Sequence, residues 1–587
     1  MPIDRSTPFV LLDDAQTGHA TLHRDPVRVI EAREASEVRP ALDAVRVASA
    51  EGLHAAGFLS YEAGQGIEPR LVAPTGYRTP LVWFGLFAKA EPVDVEAFLP
   101  DASSVWSSAP QLEIDRETYG ARLDRVLELI AAGDIYQANL TFPARVRFAG
   151  DPLALYARLR RQARAHYGAV VSTGPDLILS LSPELFFALD GDRLHARPMK
   201  GTAARGATPA EDVATIASLR DDPKQRAENL MIVDLLRNDL SRVAAAGSVA
   251  VPALYEVETY PTIHQMVSDI TATLAPSKDA IDALAALFPC GSITGAPKIR
   301  ASEVIAEVEE APRGIYTGAI GQIEPGGDAM FNVAIRTLLI WGGEDHATIG
   351  LGSGIVADSR ADEEWAECLA KGAFVTAGQR RFDLIETMAF DPENGIVLLE
   401  RHLARMKDSA DLFGFPFDRH ATRNELQAAT FRLRGAKRIR LVLAPSGALA
   451  IEVAPMPAAP EGPVSVAIAP LPVAAADFRL RHKTSDRRCW ETARVPGAFE
   501  TVFTDADGFL TEGSISSIFV ERDGRLVTPP LARGLLPGVL RAELIESGRA
   551  VEGDLTPANL AGGFFIGNAL RGLVSAVTFA SAPNPRV

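Results

Sequence analysis

Cysteine is scarce in this chain of 587 residues: Cys290, Cys368 and Cys489 lie far apart and form no CxxC or other metal-ligand spacing. That excludes a disulfide framework and a thiolate metal site, and a sparse, odd count fits a reducing cytoplasm. An excess of positive charge is missing as well. Against 75 Asp and Glu stand 59 Lys and Arg, a net charge of -16, which argues against nucleic acid as a main partner because phosphate backbones need clustered cations. A small anionic substrate stays open, since an acidic protein can hold a local cationic pocket. No run of about 18 uncharged apolar residues occurs, so no membrane-spanning helix is expected. The opening MPIDRSTPFVLLDD carries acidic residues early and no apolar stretch of signal-peptide length. The expectation is a cytoplasmic protein that contacts neither nucleic acid nor membrane.

What is present is ordinary globular composition, 47% hydrophobic and 23% charged, in a length suited to two to four domains at about 150 residues each. Glu91 to Ser108 reads as a polar, Pro/Ser-rich connector. After Tyr119, Leu123, Val126, Leu127 and Ile130 fall at helical spacing, and Gly133 supplies a stop. Strands are expected over 176–182 and 184–189, the latter turning at Asp190-Gly191, and a long helix over 223–240 with Pro223 in its first turn. A further short helix covers 361–371. The second half reads differently: 438–443 and 464–468 partly alternate, and Arg522-Asp523-Gly524 between two apolar runs is a hairpin signal. Ala454–Pro463 reads as a loop, and Gly372 to Arg381 as a connector between domains.

One lysine stands out in Arg197-Pro198-Met199-Lys200-Gly201-Thr202. Before a Gly-Thr turn it is a candidate nucleophile if its surroundings desolvate it. Glu364, Glu367 and Lys371 share one face of the short helix. Glu228 lies on the long helix before an apolar run, and two carboxylates from separate helices suit Mg²⁺ when substrate oxygens and water complete its octahedron. Spacing alone equally describes a solvated, ion-paired surface.

Seven ordered blocks lift that ambiguity: Gly133-Asp134-Ile135-Tyr136-Gln137-Ala138-Asn139-Leu140, Ser182-Pro183-Glu184-Leu185-Phe186, the stretch Ala227 to Asp239, Phe288-Pro289-Cys290-Gly291-Ser292-Ile293-Thr294-Gly295-Ala296-Pro297-Lys298, Tyr316-Thr317-Gly318, Ala334-Ile335-Arg336-Thr337 and Gly352-Ser353-Gly354-Ile355-Val356. Together they resemble the chorismate-utilising enzymes. The resemblance implies that Glu228 and Glu367, with Glu364 beside them, hold Mg²⁺ against the ring carboxylate of chorismate. It implies that Arg336 and Tyr316 grip the pyruvyl carboxylate, that Ser292, Gly352 and Gly354 line the substrate, and that Lys371 partners a carboxylate. Glu184 becomes the general acid for the leaving C4 hydroxyl, and His264 matches a histidine near the reacting centre or serves structurally. Gln225 stands where many relatives have a second acidic residue. Lysine at position 200 is similar to component I of 4-amino-4-deoxychorismate synthases, where anthranilate synthases have Ala. Isochorismate-forming relatives keep the product open at this residue.

Downstream, Glu400 to Ala410, Arg481-His482-Lys483-Thr484, Thr511-Glu512-Gly513-Ser514-Ile515-Ser516-Ser517-Ile518-Phe519, Leu535 to Arg541 and Gly567-Asn568-Ala569-Leu570-Arg571 resemble the fold-type IV pyridoxal-phosphate enzymes, among them D-amino-acid and branched-chain transaminases and aminodeoxychorismate lyase. By that resemblance Lys483 carries pyridoxal 5'-phosphate and moves the proton, Glu512 pairs with the pyridinium nitrogen, and Arg405, the backbone at Gly538 and Val539, and Asn568 bind the phosphate end.

The expected fold is therefore α+β. A large chorismate-binding α/β-sandwich domain spans 1–374, and a smaller two-subdomain, D-amino-acid-aminotransferase-like domain spans 380–587. The expected activity is amination of chorismate followed by expulsion of pyruvate to give 4-aminobenzoate. A true transaminase in the second half, or anthranilate or isochorismate formation in the first, are the alternatives. No Cys-His-Glu amidotransferase pattern is visible, so ammonia is expected from a separate glutamine amidotransferase subunit, and a homodimer through the second domain is implied.

Overall fold

A computed structural model of the chain describes residues 7–71, 74, 76–260 and 263–579, leaving residues 1–6 of the opening stretch outside it. The chain is α+β and divides into two compact units. The first unit holds two large, mostly antiparallel sheets of eleven and ten strands. Alternation along each strand decides what lies between them. In the strand Val82–Phe87, Trp83 and Phe87 turn toward the neighbouring sheet, meeting Val10, Val171 and Leu339, whereas Phe84 and Leu86 turn the other way. That second face is covered by the helices Ala35–Ala50, Pro223–Ser241 and Ala280–Leu287, through Val38, Leu42, Ile232, Leu236 and Leu284. The arrangement is a two-sheet sandwich with helices packed on one sheet.

The expected elements of this half are present. The helix Arg116–Ala131 buries Tyr119, Leu123 and Val126, and Gly133 follows it at φ +82°. The long helix runs Pro223–Ser241, capped by Asp222 accepting from Lys224 N at 2.8 Å and Gln225 N at 3.0 Å. The helix Ala361–Gly372 lies on the strand His346–Ile355, and Trp365 stacks on Phe142 at 5.5 Å between centroids. Among the described residues no helix is long and apolar enough to cross a membrane.

The second unit comprises Gln379–Val587 together with Ser103–Trp106 and Ala149–Ala154. The upstream pieces differ from the linear reading, in which Glu91 to Ser108 was a bare connector. Trp106 meets Phe413 edge to face at 4.9 Å, in a cluster with Phe382, Phe478 and Leu403. An indole buried among phenylalanines is too large an apolar area to leave in a solvated linker. Asp94 also caps the short helix Val95–Phe98 within the same stretch.

This unit contains a four-stranded sheet built on Leu384–Asp391 and Lys437–Leu443, and an eight-stranded sheet in which Val464–Pro470 runs parallel to Glu500–Thr504. The hairpin Ser517–Arg522 to Arg525–Thr528 turns on Asp523 (φ 51°) and Gly524 (φ 75°), the two left-handed positions of a tight two-residue turn.

In the first unit, His23 is fully buried 5.9 Å from the ring of His54, and neither of its nitrogens makes a well-formed hydrogen bond. Burial, with His54 adding, pushes its pKa down from 6.5 to about 4. The unfolded chain therefore binds the proton first, and stability falls as pH drops from about 6.5 toward 4. Replacing His23 by Phe should abolish about 2–3 kcal/mol of that acid-dependent loss by pH 4.5. Denaturation midpoints of both proteins at pH 7.5 and 4.5 check this, and equal acid sensitivity would count against it.

Candidate active sites

The strand Met199–Ala204 pairs with Ile263–Thr273 and bulges between Met199 and Thr202, so Lys200 and Gly201 fall out of register. Gly201 has φ +98°, and a Cβ there would lie 2.9 Å from Gln225 Oε1; the bulge needs glycine and re-aims Lys200. Gln265 fastens it, accepting from Thr202 Oγ1 and donating to Gly201 O, each at 2.8 Å. The amine of Lys200 reaches 3.9 Å from Glu228 Oε2. A Cβ on Gly354 would stand 2.5 Å from Lys200 Nζ and 3.0 Å from Gln137 Nε2, so the amine, the amide and the glycine share one small space.

Gln137 is the residue that sequence reasoning passed over here. Its strand pairs Asn139 with Gly354, so Gln137, two residues earlier, faces the same way. It is wholly buried, and neither polar atom of its amide has a partner. Its place inside the first of the seven blocks was the available signal.

Around Lys200 the carboxylates differ. Glu184 is buried beside Ser292 and the Met199 backbone, and burial lifts its pKa to about 7 against Ser292, Lys200 and Lys371. Its Oε1 has no partner. Burial also raises Glu228, with Lys200 and Lys224 opposing and Glu364 and Glu367 adding. For Glu367 burial pushes upward too, but Lys371 at 2.7 Å prevails and holds it low. Lys371 also donates to Gly352 O at 3.0 Å, and Glu364 accepts from Ser359 Oγ at 2.7 Å. Among the described residues no three His, Cys, Asp or Glu side chains gather as a ready-made metal cage. The donor set still fits Mg²⁺, a hard cation that takes one or two carboxylates plus substrate oxygens and waters.

The other expected residues of this unit are held by contacts of their own. Arg336 sits at φ 49°, and burial depresses its guanidinium with Tyr260 opposing. Tyr316 packs on Gly350, where a Cβ would be 2.0 Å from its ring, and lines a cavity with Glu309, Arg313 and Arg122. Gly352 lies close on Leu140 O, 2.6 Å from a built Cβ. His264 alternates with Gln265 and turns away from the bulge's polar clasp. Its Nε2 meets Asp212 at 2.9 Å and its Nδ1 meets Thr259 at 3.0 Å, so both nitrogens are engaged.

In the second unit, Ile385 N donates to Lys483 O at 3.0 Å, tying the lysine's segment to the edge of the strand Leu384–Asp391. Burial and then Arg405 push the Lys483 amine down to about 8, with Arg487 adding and Glu386 and Glu512 opposing. Glu512 is buried and lifted to about 7, against Leu536 N, which donates to it at 3.1 Å, and against Arg487 and Arg405. Arg405 is clamped by Glu386 through Nε at 2.8 Å and Nη2 at 2.7 Å, and gives Nη1 to Pro537 O at 3.0 Å. Glu386 takes His402 Nδ1 at 2.6 Å besides. Burial alone would raise Glu386, but Arg405 and His402 hold it far below the usual carboxylate range. Glu386, His402 and Arg487 were not foreseen; a glutamate inside the apolar strand Leu384–Asp391 was the only hint of the first.

Gly538 caps the helix Val539–Glu546, whose first N–H groups have no partner within it. A Cβ on Gly538 would meet Ser517 Oγ at 2.7 Å. Asn568 donates to Ile515 O at 3.0 Å and accepts from the N–H groups of Leu570 and Arg571 at 3.1 and 3.0 Å, contacts that shape the turn. The set fits pyridoxal phosphate: a lysine amine of lowered pKa, a buried carboxyl, a clamped arginine, and a glycine cradle at a helix start.

The chorismate binding enzyme family model matches residues 7–377, and the amino-transferase class IV model matches residues 383–578. Aminodeoxychorismate synthase component 1 of Escherichia coli is 41% identical over 279 residues, 48% of this chain and 61% of that protein. Aminodeoxychorismate synthase of Streptomyces griseus is 42% identical over 275 residues, 47% of this chain and 38% of that protein. The chain thus spans about three fifths or less of these relatives. The crystal structure of anthranilate synthase component I from Streptococcus pneumoniae superposes with a TM-score of 0.53 at 25% identity, covering 64% of this chain and 93% of that one.

Burial beside Arg405 lowers the pKa of Lys483. In cofactor-free protein, labelling of Lys483 by an amine-directed reagent, followed by peptide mapping across pH, should reach half its maximum near pH 8. A half-point at the ordinary lysine value of about 10.4 would contradict the burial described.

Proposed function

The chain belongs to the chorismate-binding enzymes, and from that premise we propose that it converts chorismate to 4-aminobenzoate in two stages, one in each unit. The observation that carries the reading is Lys200, bulged out of its strand, 3.9 Å from Glu228 and sharing its space with the open face of Gly354. The kinship with aminodeoxychorismate synthases supports amination as the first stage.

In the first stage, Lys200 Nζ forms a bond to ring C2 while the double bonds shift and the C4–O bond breaks. Glu184, whose pKa of about 7 leaves it substantially protonated near neutrality, hands its proton to the departing hydroxyl, which leaves as water. Ammonia then attacks C4, the double bonds shift back, and the C2–N bond to Lys200 breaks. Mg²⁺, held by Glu228 and Glu367 beside Glu364, would neutralise the ring carboxylate and assist departure of the hydroxyl. Arg336 and Tyr316 bind the pyruvyl carboxylate, Lys371 and Ser292 orient the other polar groups, and Gly352 and Gly354 admit the ring. His264, with both nitrogens engaged, acts by positioning. A separate glutamine amidotransferase supplies the ammonia, and free ammonium substitutes for it.

In the second stage, bound pyridoxal phosphate supplies an electron sink for loss of the C4 proton. Arg405, Ser517 and the N–H groups at Gly538 and Val539 would hold its phosphate. Glu512 shares its proton with the pyridine nitrogen, a task suited to a carboxyl near pH 7. Lys483 takes the proton from C4, the C3–O bond breaks as the ring becomes aromatic, and the departing enolate takes up a proton at its methylene carbon to become pyruvate. The class IV match favours one other reading of this unit, an amino-acid transaminase. Pairing through the second unit and residence in the cytoplasm complete the proposal.

Chorismate, ammonium and Mg²⁺ supplied to the pyridoxal-phosphate-loaded chain should give 4-aminobenzoate and pyruvate in equal amounts. Accumulation of aminodeoxychorismate instead would remove the lyase reading, and anthranilate or isochorismate would remove the first stage. Lys200→Ala should lower the amination at least about a hundredfold and leave cofactor binding at Lys483 unchanged. Full amination by that variant would exclude the covalent role.

A further inference from the structure

Glu500 begins the strand Glu500–Thr504 and is 1% exposed. Its two oxygens take five hydrogen bonds. Oε1 accepts from Thr501 N at 2.9 Å, Ser514 N at 3.1 Å and Ser514 Oγ at 2.6 Å. Oε2 accepts from Ile515 N at 3.2 Å and Ser516 Oγ at 2.8 Å. None of the five donors is a lysine or arginine; four belong to the loop Ser514-Ile515-Ser516. Burying a carboxylate without a bonded cation is costly unless its acceptor sites are filled, and here one loop fills them.

The other contacts of that loop point the same way. Gly513 N donates to Ser516 O at 2.7 Å, and a side chain at Gly513 would strike Ser516 Oγ at 2.7 Å and the Glu500 carboxyl carbon at 3.0 Å. Arg487 donates to Ser514 O, and Asn568 Nδ2 to Ile515 O at 3.0 Å. The residue before the loop's glycine is Glu512, the carboxyl that would pair with the cofactor's ring nitrogen. The residue after the loop is Ser517, whose hydroxyl adjoins Gly538 where the phosphate would sit. One short segment thus links the two ends proposed for the cofactor site, and the Glu500 carboxylate takes two of its N–H groups, Ile515 N and, shared with Thr501 O at 3.0 Å, Ser514 N.

We propose that Glu500 is a positioning residue for the cofactor site, setting the register of Glu512–Ser517 so that Glu512 and Ser517 meet opposite ends of the same molecule. This rests on the pyridoxal-phosphate reading of the second unit. In Glu500→Gln the hydroxyls of Ser514 and Ser516 can rotate to accept, but backbone N–H groups cannot. The amide nitrogen therefore confronts Ile515 N, or Ser514 N and Thr501 N, donor against donor.

The test is titration of the full chain with pyridoxal 5'-phosphate, followed by absorbance and by hydrogen–deuterium exchange of the peptide covering 512–517. Glu500→Gln should bind the cofactor about tenfold more weakly, the scale of one lost bond to a charged acceptor, and exchange faster in that peptide. Ammonium-dependent consumption of chorismate should be unchanged and reports that the first unit is folded, and wild-type exchange in second-unit peptides away from 512–517 reports the same of the second. If Glu500→Gln does not fold, Ser514→Ala combined with Ser516→Ala keeps the carboxylate and removes two donors. That variant should bind at least about tenfold more weakly. Wild-type affinity and wild-type exchange in the variant that folds would overturn the proposal. A wild-type chain that binds no pyridoxal phosphate would instead overturn the cofactor reading, and the positioning role with it.

Discussion

Charge buried against opposite charge is the constraint on which the rest of this protein depends. Lys200 and Lys483 are each drawn out of water beside carboxylates that burial makes harder to ionise, Glu228 and Glu184 in one unit and Glu512 in the other. Such groups cannot simply be enclosed by apolar side chains, because an unpaired buried charge shifts its protonation or destabilises the fold. Much of the surrounding structure supplies partners. Gln265 fastens the bulge that carries Lys200, Lys371 answers Glu367, and Glu386 with His402 balances Arg405. A chain of net charge −16 still places a few of its lysines and arginines beside these buried carboxylates, as Lys200 lies beside Glu228 and Arg405 beside Glu386.

The two-sheet sandwich makes this possible in the first unit. Because side chains alternate along a strand, one strand can serve an apolar core on one side and a polar site on the other. Gln137 and Gly354 share a face for that reason, and a residue's neighbour in sequence looks elsewhere. His264 and Gln265 show the consequence. A histidine chosen by motif has both nitrogens consumed by Asp212 and Thr259, and the glutamine beside it holds the lysine's turn. Period-two geometry makes the assignment of a single polar residue sensitive to one position of register.

Where local physics was decisive, the sequence was legible. The helix Arg116–Ala131 follows from its apolar spacing, the long helix from Asp222 and Pro223 at its start, and the hairpin from Asp523-Gly524. Lys200, Glu228, Glu367, Lys483, Glu512 and Arg405 could be picked out because their blocks resemble two families, not because spacing demanded them. Trp106 could not: a lone indole in a polar stretch gives no sign that it enters the core of a unit built mainly from residues beyond Gln379. Gln137, Glu386 and Glu500 escaped for a related reason. Their significance comes from strand pairing across many residues, and a glutamate in a strand carries no periodicity of its own.

The central claim is that Lys200 bonds to the ring of chorismate. It is tested most directly by incubating the protein with chorismate and Mg²⁺ in ammonia-free buffer, quenching, and mapping peptides by mass spectrometry. The peptide bearing Lys200 should gain the mass of chorismate less one water, and adding ammonium before the quench should remove the adduct as aminodeoxychorismate appears. An unmodified Lys200 in protein that still forms aminodeoxychorismate on addition of ammonium would contradict the claim.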